Sequence, residues 1–286
     1  IPLQKFKFEY AKIDKNLKIT KYRGTVGGFT ENLGNGVTLE MVSIPGGSFI
    51  MGAPEDEEES RDRERPQHKV NIQSFLMGKF QVTQEQYEVI MGKNPSYFEG
   101  KKRPVEEVNW YNAVKFCEQL SKLTGKEYRL PSVAECEYAC RAGTYTPFHF
   151  GETITTDLAN YRGTDYEKYN RSGSYGRGPK GIYREKTTRV GSFPANSFGL
   201  YDMHGNVWEW CLDDWHDNYK GAPSDVNTWF NDNRNLLKKT GKVVLRGGSW
   251  LNYPSNCRSA SRYVNYSRYD NIDLIGFRVV CAVGRT

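Results

Sequence analysis

The 286-residue sequence lacks a long apolar run, a strong excess of either charge and a high density of cysteine. No stretch approaches the roughly 20 apolar residues of a membrane-spanning helix, so we expect no membrane partner. Forty basic side chains against 34 acidic ones, with the two signs interleaved, argue against nucleic-acid binding. Six cysteines are too few for a disulfide scaffold, and we expect mostly free thiols, a reducing compartment and a cytoplasmic location.

The sequence is instead rich in aromatic residues (14%), including 19 tyrosines, and it contains 28 glycines. Disordered chains have few aromatic residues, so this composition predicts a folded protein. Short alternating strands, many turn residues and no internal repeat predict one loop-rich α+β domain. The first residue is Ile and no signal peptide is recognisable, so we expect part of a longer chain.

Local signals predict three helices. Thr83 and Ser132 are each followed three residues later by Gln or Glu, a capping-box pattern that predicts helices over 84–92 and 133–141. An apolar face that begins at Trp110 predicts the third helix, which ends at a glycine.

Short apolar segments between turn residues predict strands. They lie at 39–42, 49–52, 70–72, 207–211, 243–245 and 277–282. The charged segment 55–66 is expected to be a solvated loop, and 144–200 is expected to be mostly loop.

Seven motifs then occur in a fixed order along the chain. They are GGSFIMG at 46–52, VT at 82–83, PV and VNW within 104–110, YRLPS at 128–132, GNVWEW at 205–210, LRGGSW at 245–250 and GFR at 276–278. Together they resemble the sulfatase-modifying-factor family, whose best-known member is the formylglycine-generating enzyme. The resemblance covers about 38–282 and implies an α+β, C-type-lectin-like fold with short twisted antiparallel sheets, a few helices and long loops. We predict an N-terminal extension or strand segment over 1–37, packed on a domain over 38–286.

The resemblance also indicates where a catalytic copper site would lie. In the family, two cysteines follow the Gly-Gly-Ser-Trp motif, two and seven residues beyond its Trp. Asn252 and Cys257 occupy those positions here. One thiolate does not make the two-coordinate site that Cu(I) favours, so we expect no copper and no oxidase activity. The four histidines are scattered, and each is expected to have a structural role.

A calcium site is a second feature that the resemblance implies. It would use the side chains of Asp202 and Glu209 and the carbonyl oxygens of Gly205 and Val207. Hard oxygen ligands at this spacing suit Ca²⁺. The alternative is that Glu209 pairs with a nearby arginine and the turn needs no metal.

Residues 251–275 have an unusual composition. They contain four Tyr, four Asn and four Ser, but no Lys, Glu, Gln, Met or Trp. These five types make up about a fifth of the chain, so about five would be expected in 25 residues. Tyr, Ser and Asn are typical of binding surfaces in which rigid aromatic contacts combine with adaptable hydrogen bonds.

The five missing types are those that no codon ending in a pyrimidine encodes. Randomising the two adenines of Asn codons therefore gives every type except these, which is the signature of a diversity-generating retroelement. The window and its flanks closely resemble the variable region of retroelement-encoded variable proteins. On that resemblance, Cys257, Arg258, Ala260 and Arg262 belong to the scaffold. The diversified, ligand-binding positions are Leu251, Asn252, Tyr253, Ser255, Asn256, Ser261, Tyr263, Val264, Asn265, Tyr266, Tyr269, Ile272, Asp273 and Leu274. An ordinary polar surface loop is the alternative.

We therefore predict a non-catalytic protein that binds an unknown protein or other macromolecule through this window. Its tyrosines, Tyr253, Tyr263, Tyr266 and Tyr269, should then be largely exposed on one face. Two rival interpretations remain: a copper oxidase of the formylglycine-generating type with a displaced site, and an inactive family member with one fixed partner.

Overall fold

Residues 2–225, 227–231, 235–264 and 266–282 are described here from a computed structural model. These residues form eleven β-strands and three α-helices, joined by loops and short 3₁₀ turns. In chain order they are β1 (Gln4–Ile13), β2 (Ile19–Gly34), β3 (Val37–Ile44), β4 (Gly47–Met51), β5 (His68–Ile72), β6 (Phe75–Gly78), α1 (Gln84–Met91), α2 (Trp110–Thr124), β7 (Tyr128–Arg129), α3 (Val133–Arg141), β8 (Trp208–Asp214), β9 (Val243–Arg246), β10 (Ile275–Gly276) and β11 (Val280–Ala282).

The strands form three sheets. A six-stranded antiparallel sheet has the order β1-β2-β3-β6-β11-β7. A three-stranded sheet has β8 at its centre, antiparallel to β9 and parallel to β10, and β4 pairs with β5. Strands β1 and β2 of the large sheet lie within the predicted N-terminal segment, and the domain boundary at 37 stays a prediction.

The three predicted helices are confirmed, because their end signals are local. Thr83 and Ser132 both form complete capping boxes, which satisfy backbone N–H groups that a helix leaves unpaired at its start. α2 begins after Asn109, whose side chain accepts from the N–H of residue 112, and ends at Gly125 in the left-handed conformation at φ 70°.

The core lies between the sheets and helices. α2 buries Trp110 and Phe116 against Phe277 and the β8 tryptophans, while α3 packs in a second cluster with β4 and β5. Residues 144–200 are mostly loop, as predicted, and a third cluster around Phe148 and Tyr161 buries part of them.

The charged segment 55–66 is mostly exposed, as expected of a solvated loop, but two of its acidic residues are exceptions. Glu64 is fully buried and Glu57 nearly so, because both carboxylates pair with the buried guanidinium of Arg258. The partners lie 194 and 201 residues apart in sequence. A pairing at that separation leaves no periodic signal in the sequence.

Candidate functional site

The window 251–275 is attached to the domain mainly through its backbone. The N–H of Arg162 donates to the carbonyl of Asn252 at 2.8 Å, near the start of the window. In its middle, Tyr263 and Leu245 of β9 exchange two backbone hydrogen bonds of 3.0 and 3.1 Å.

The end of the window is held in the same way. The N–H of Glu107 donates to the carbonyl of Ile272 at 3.0 Å, and the N–H of Trp208 donates to that of Leu274 at 2.8 Å. The indole of Trp250 donates to the carbonyl of Asp273 at 3.0 Å. None of these bonds uses a side chain of the predicted variable positions.

Buried arginines hold the underside of the window. Arg258 forms hydrogen bonds of 2.8 and 2.9 Å with the carboxylate of Glu64. Arg262 donates to the carbonyls of Arg63 and His216 at 2.6 and 2.8 Å. Arg268 pairs with buried Asp214 of β8. Such buried cations require partners, so these residues belong to the structural frame.

The fourteen predicted variable positions are not uniformly exposed. Tyr269 is 64% exposed. Eight others are half-buried: Leu251, Asn252, Tyr253, Asn256, Tyr263, Tyr266, Ile272 and Asp273. Asn265 lies outside the described residues.

Four predicted contact positions are buried, namely Ser255, Ser261, Val264 and Leu274, and this part of the prediction is corrected. The window runs across the domain instead of projecting from it. Leu274 is part of the main core, and the carbonyls of Ser255 and Ser261 accept from buried arginines. Val264 follows Tyr263 in an extended segment, in which neighbouring side chains point to opposite sides.

The expectation that all four tyrosines are largely exposed is also wrong, because only Tyr269 is. Tyr263 stacks on the fully buried Trp208, with ring centroids 5.1 Å apart, and contacts Tyr266 at 5.8 Å. Tyr269 lies against Tyr111 of α2 at 5.0 Å. These rings, Tyr111, Tyr263, Tyr266 and Tyr269, form what we call the tyrosine patch.

A second group of side chains surrounds Arg162. The guanidinium carbon lies 4.6 Å from the ring of Tyr166, 4.7 Å from that of Tyr183 and 5.6 Å from that of Tyr253. We call these four residues the arginine patch. Arg162 Nε and the Tyr253 hydroxyl are buried without a hydrogen-bond partner among the described residues. Unpaired buried groups of this kind cost about 1–3 kcal/mol each.

Asp273 acts electrostatically on a tyrosine of each patch. Its charge raises the pKa of both Tyr183 and Tyr266, although burial is the larger cause in each. Partial burial also raises the pKa of Asp273 itself. The half-buried face of the window thus combines aromatic rings with one cation and one carboxyl group.

The two positions that match the copper cysteines do not fit copper. Asn252 accepts a hydrogen bond from the hydroxyl of Ser249. Cys257 is fully buried, and burial raises the pKa of its thiol, which disfavours the thiolate. One buried thiol beside an amide does not supply the soft ligand pair that Cu(I) requires.

The residues predicted to bind calcium do converge, but differently from the expectation. One oxygen of the Asp202 carboxylate accepts from the N–H of Gly191 at 2.7 Å, and the role of this side chain as a calcium ligand stays a prediction. Four oxygens surround the amide nitrogen of Gln81. They are the backbone carbonyl oxygens of Asp202, Gly205 and Val207 and one carboxylate oxygen of Glu209.

This arrangement does not fit a calcium ion as it stands. A hydrogen-bond donor occupies the centre of the oxygens, and Arg278 neutralises Glu209 through a contact of 3.1 Å. Glu209 pairs with an arginine, as the alternative to the calcium site predicts. In the described part of the chain, no group of three or more His, Cys, Asp or Glu side chains is arranged to hold a metal.

Two of the histidines lie together although they are 55 residues apart. The rings of His149 and His204 have centroids 4.7 Å apart, and the N–H of His149 donates to His204 Nε2 at 3.1 Å. Both are buried, and burial lowers the pKa of each. They remain neutral and structural.

Sequence reasoning missed Arg162, Tyr183, Tyr111 and Gln81. The first two lie in the irregular segment 144–200, and Tyr111 lies on a helix interpreted only through its apolar face. No local pattern marks these four residues, because their partners are distant in sequence. None of the helices in the described ranges combines the length and the apolar character needed to cross a bilayer.

Comparison with known proteins agrees with this architecture. Residues 30–283 match the family model of the sulfatase-modifying factor enzyme 1-like domain. PvdO from Pseudomonas aeruginosa superimposes with a TM-score of 0.72 at 34% identity, over 90% of this chain and 98% of that one. Treponema denticola variable protein 1 also has a TM-score of 0.72, at 26% identity, over 89% and 99% of the two chains.

Relatives known from sequence carry different names. The serine/threonine-protein kinase pkn1 of Chlamydia caviae is 31% identical over 86% of this chain, which spans only 38% of the kinase. A Bos taurus protein named inactive C-alpha-formylglycine-generating enzyme 2 is 25% identical, with 88% and 91% of the chains covered. From the ordered motifs, the three sheets and these matches, we conclude that the chain belongs to the sulfatase-modifying factor family and has its C-type-lectin-like α+β fold.

Proposed function

We propose that this chain is a non-catalytic, ligand-binding variable protein of a diversity-generating retroelement. One observation carries the proposal: the window is fastened through backbone atoms and scaffold side chains. The carbonyls of Asn252, Ile272, Asp273 and Leu274 accept the bonds that hold it, and Tyr263 pairs through its backbone.

The physical consequence is tolerance to substitution. A backbone N–H or C=O keeps its hydrogen bond whichever side chain the residue carries, with proline as the exception at N–H donors. Half-exposed positions can then vary while the loop keeps its course. A rigid loop also loses little conformational entropy on binding, which favours affinity.

The ligand surface that we propose joins the two patches across Asp273. Tyrosines provide rigid amphipathic contact area, Asn252 and Asn256 provide adaptable hydrogen bonds, and Arg162 adds a donor. This mixture suits a protein or another macromolecule that presents hydrogen-bond acceptors. We propose no nucleic-acid or membrane partner.

A combined substitution tests the tolerance directly. We expect the triple variant Tyr253→Ser, Tyr266→Ser, Tyr269→Ser to remain folded, with a cooperative thermal transition. Serine is a residue that pyrimidine-ending codons encode, so the variant resembles a natural sibling. As a control, the single change Arg262→Ser should lower the melting temperature at least as much as the triple substitution does, because it leaves two partly buried carbonyls without their donor.

The outcomes separate the hypotheses. Loss of the folded state in the triple variant would contradict the display function. Sequencing the gene should also reveal a nearby template repeat with Asn codons at the variable positions, beside a reverse transcriptase. A locus without these elements would favour an inactive family member with one fixed partner.

The non-catalytic part of the proposal has its own test. The purified protein should not convert the cysteine of a substrate peptide to formylglycine in the presence of Cu(I). Stoichiometric high-affinity Cu(I) binding together with formylglycine formation would refute it. The Asn252→Cys variant shows whether the second thiol alone restores copper binding.

A further inference from the structure

We propose that the side-chain amide of Gln81 takes the place of a calcium ion in the turn between Asp202 and Glu209, so that the fold is stable without metal. The same geometry implies that the single isosteric change Gln81→Glu creates a calcium site. The inference concerns the scaffold and does not depend on the ligand-binding function.

The oxygens that a cation would need are already assembled around one atom. Gln81 is fully buried, and its Nε2 lies 3.0 Å from Glu209 Oε1. The carbonyl oxygens of Asp202, Gly205 and Val207 lie 3.4, 3.5 and 3.3 Å from the same nitrogen. An amide group has two N–H donors, so it can satisfy only part of this ring of four acceptors.

The turn is built to point its carbonyls inward. Asp202, Gly205 and Asn206 all have positive φ values, of 56°, 89° and 69°. At Gly205 an added Cβ would lie 2.3 Å from the carbonyl oxygen of Asn160, so only glycine fits. Left-handed conformations at non-glycine residues cost energy, and the surrounding contacts compensate for this cost.

Neighbouring hydrogen bonds determine which end of the amide faces the ring. The backbone N–H of Thr188 donates to Asn206 Oδ1 at 2.9 Å. Because a backbone N–H cannot accept, the Asn206 amide is oriented with its Nδ2 toward Gln81, and it donates to Gln81 Oε1 at 3.0 Å. Gln81 must then present its nitrogen, and not its oxygen, to the four acceptors.

The charge of the site agrees with this orientation. Glu209 is the carboxylate of the ring, and buried Arg278 binds it through Nε and Nη2 at 3.2 and 3.1 Å. The pair is neutral, and the neutral Gln81 amide leaves it so. A divalent cation placed there would add two positive charges to this neutral buried pair, which is unfavourable.

The change Gln81→Glu alters both the hydrogen-bonding character and the charge of the site, with almost no change in the shape of the side chain. It replaces the donor by a carboxylate oxygen, which faces Glu209 and the carbonyls. Two carboxylates at this distance repel each other unless a proton or a cation lies between them. The variant then has two carboxylates and three carbonyls, an oxygen set that suits Ca²⁺.

The experiment compares the wild type with Gln81→Glu after treatment with EDTA and dialysis. Calorimetric titration with CaCl₂ and thermal unfolding with and without millimolar CaCl₂ are the readouts. We expect no calcium binding and no shift of the melting temperature for the wild type. In EDTA we expect the variant to have a melting temperature several degrees below that of the wild type. In calcium we expect its melting temperature to rise by the same amount, because calcium binding stabilises the native state.

Two results would overturn the proposal. One is stoichiometric calcium binding by the wild type, or a wild-type melting temperature that falls in EDTA and recovers in calcium. The other is a folded Gln81→Glu variant that does not respond to calcium. If the variant fails to fold, the wild-type titration still decides whether the amide replaces the ion.

Discussion

His204 connects the buried histidine pair to the window, and its environment permits only the neutral ring. Nδ1 lies 2.6 Å from the carbonyl oxygen of Cys257, to which it must donate. Nε2 accepts from the N–H of His149 at 3.1 Å and has no place for a proton. Burial, together with the charge of Arg141, lowers the pKa of His204 to about 4, although the bond to Cys257 opposes the shift.

This shift makes the protein sensitive to acid. The imidazole binds a proton below about pH 6.5 in the unfolded chain, but only below about pH 4 in the folded one. Between pH 6.5 and pH 4 the unfolded state therefore binds more protons than the folded state. The stability that is fully present above pH 6.5 is lost progressively as the pH falls through this range. At pH 5 the difference amounts to about 2 kcal/mol of unfolding free energy from this single group.

Urea unfolding of the wild type and the variant His204→Gln at pH 7 and pH 5 measures this contribution. Glutamine retains an acceptor for the His149 N–H but does not titrate, so the loss between the two pH values should be about 2 kcal/mol smaller in the variant. His68→Gln, the same substitution at a half-exposed histidine of β5, is the matched control for the loss of an imidazole. Equal losses in the wild type and His204→Gln would refute the reasoning.

Two further predictions concern the window and its frame. Arg258→Met leaves Glu57 and Glu64 buried without their cation and should lower the free energy of unfolding by about 3–5 kcal/mol in denaturant titrations; a loss below 1 kcal/mol would contradict the assigned role of the pair. Tyr269→Ser should cost about 0.5 kcal/mol or less, whereas Tyr263→Ser, which removes a ring stacked on a buried tryptophan, should cost about 2 kcal/mol. Equal costs at these two positions would show that their burial is misassigned.

The helices and most strands of this fold were predictable because their signals are local. The capping boxes at Thr83 and Ser132 connect atoms three residues apart, and the turn at Gly125 depends on one residue's freedom at positive φ. The ordered motifs also indicated the family and the place of the window. The composition of residues 251–275 by itself predicts a binding surface.

Side-chain exposure within the window was not predictable from that composition. Tyr269 and Tyr263 are the same residue type six positions apart, yet one is exposed and the other stacks on Trp208. Ser261 and Leu274 were assigned to the surface and are buried. Which side each residue faces depends on the alternation of side chains along the backbone, on the pairing with β9 and on the shape of the core beneath. The amino-acid composition of the window contains no information about these.

Pairings between distant segments were decided by the tertiary structure alone. The acidic segment around Glu64 has the pattern of a solvated loop, but a buried guanidinium 194 residues away requires its carboxylate. Gln81 directly precedes the VT motif, which does not indicate the partner of its side chain, yet its amide nitrogen lies among oxygens from residues 202–209. A buried charge or donor must be paired wherever the chain places it, and only the folded chain determines which partner is within hydrogen-bonding distance.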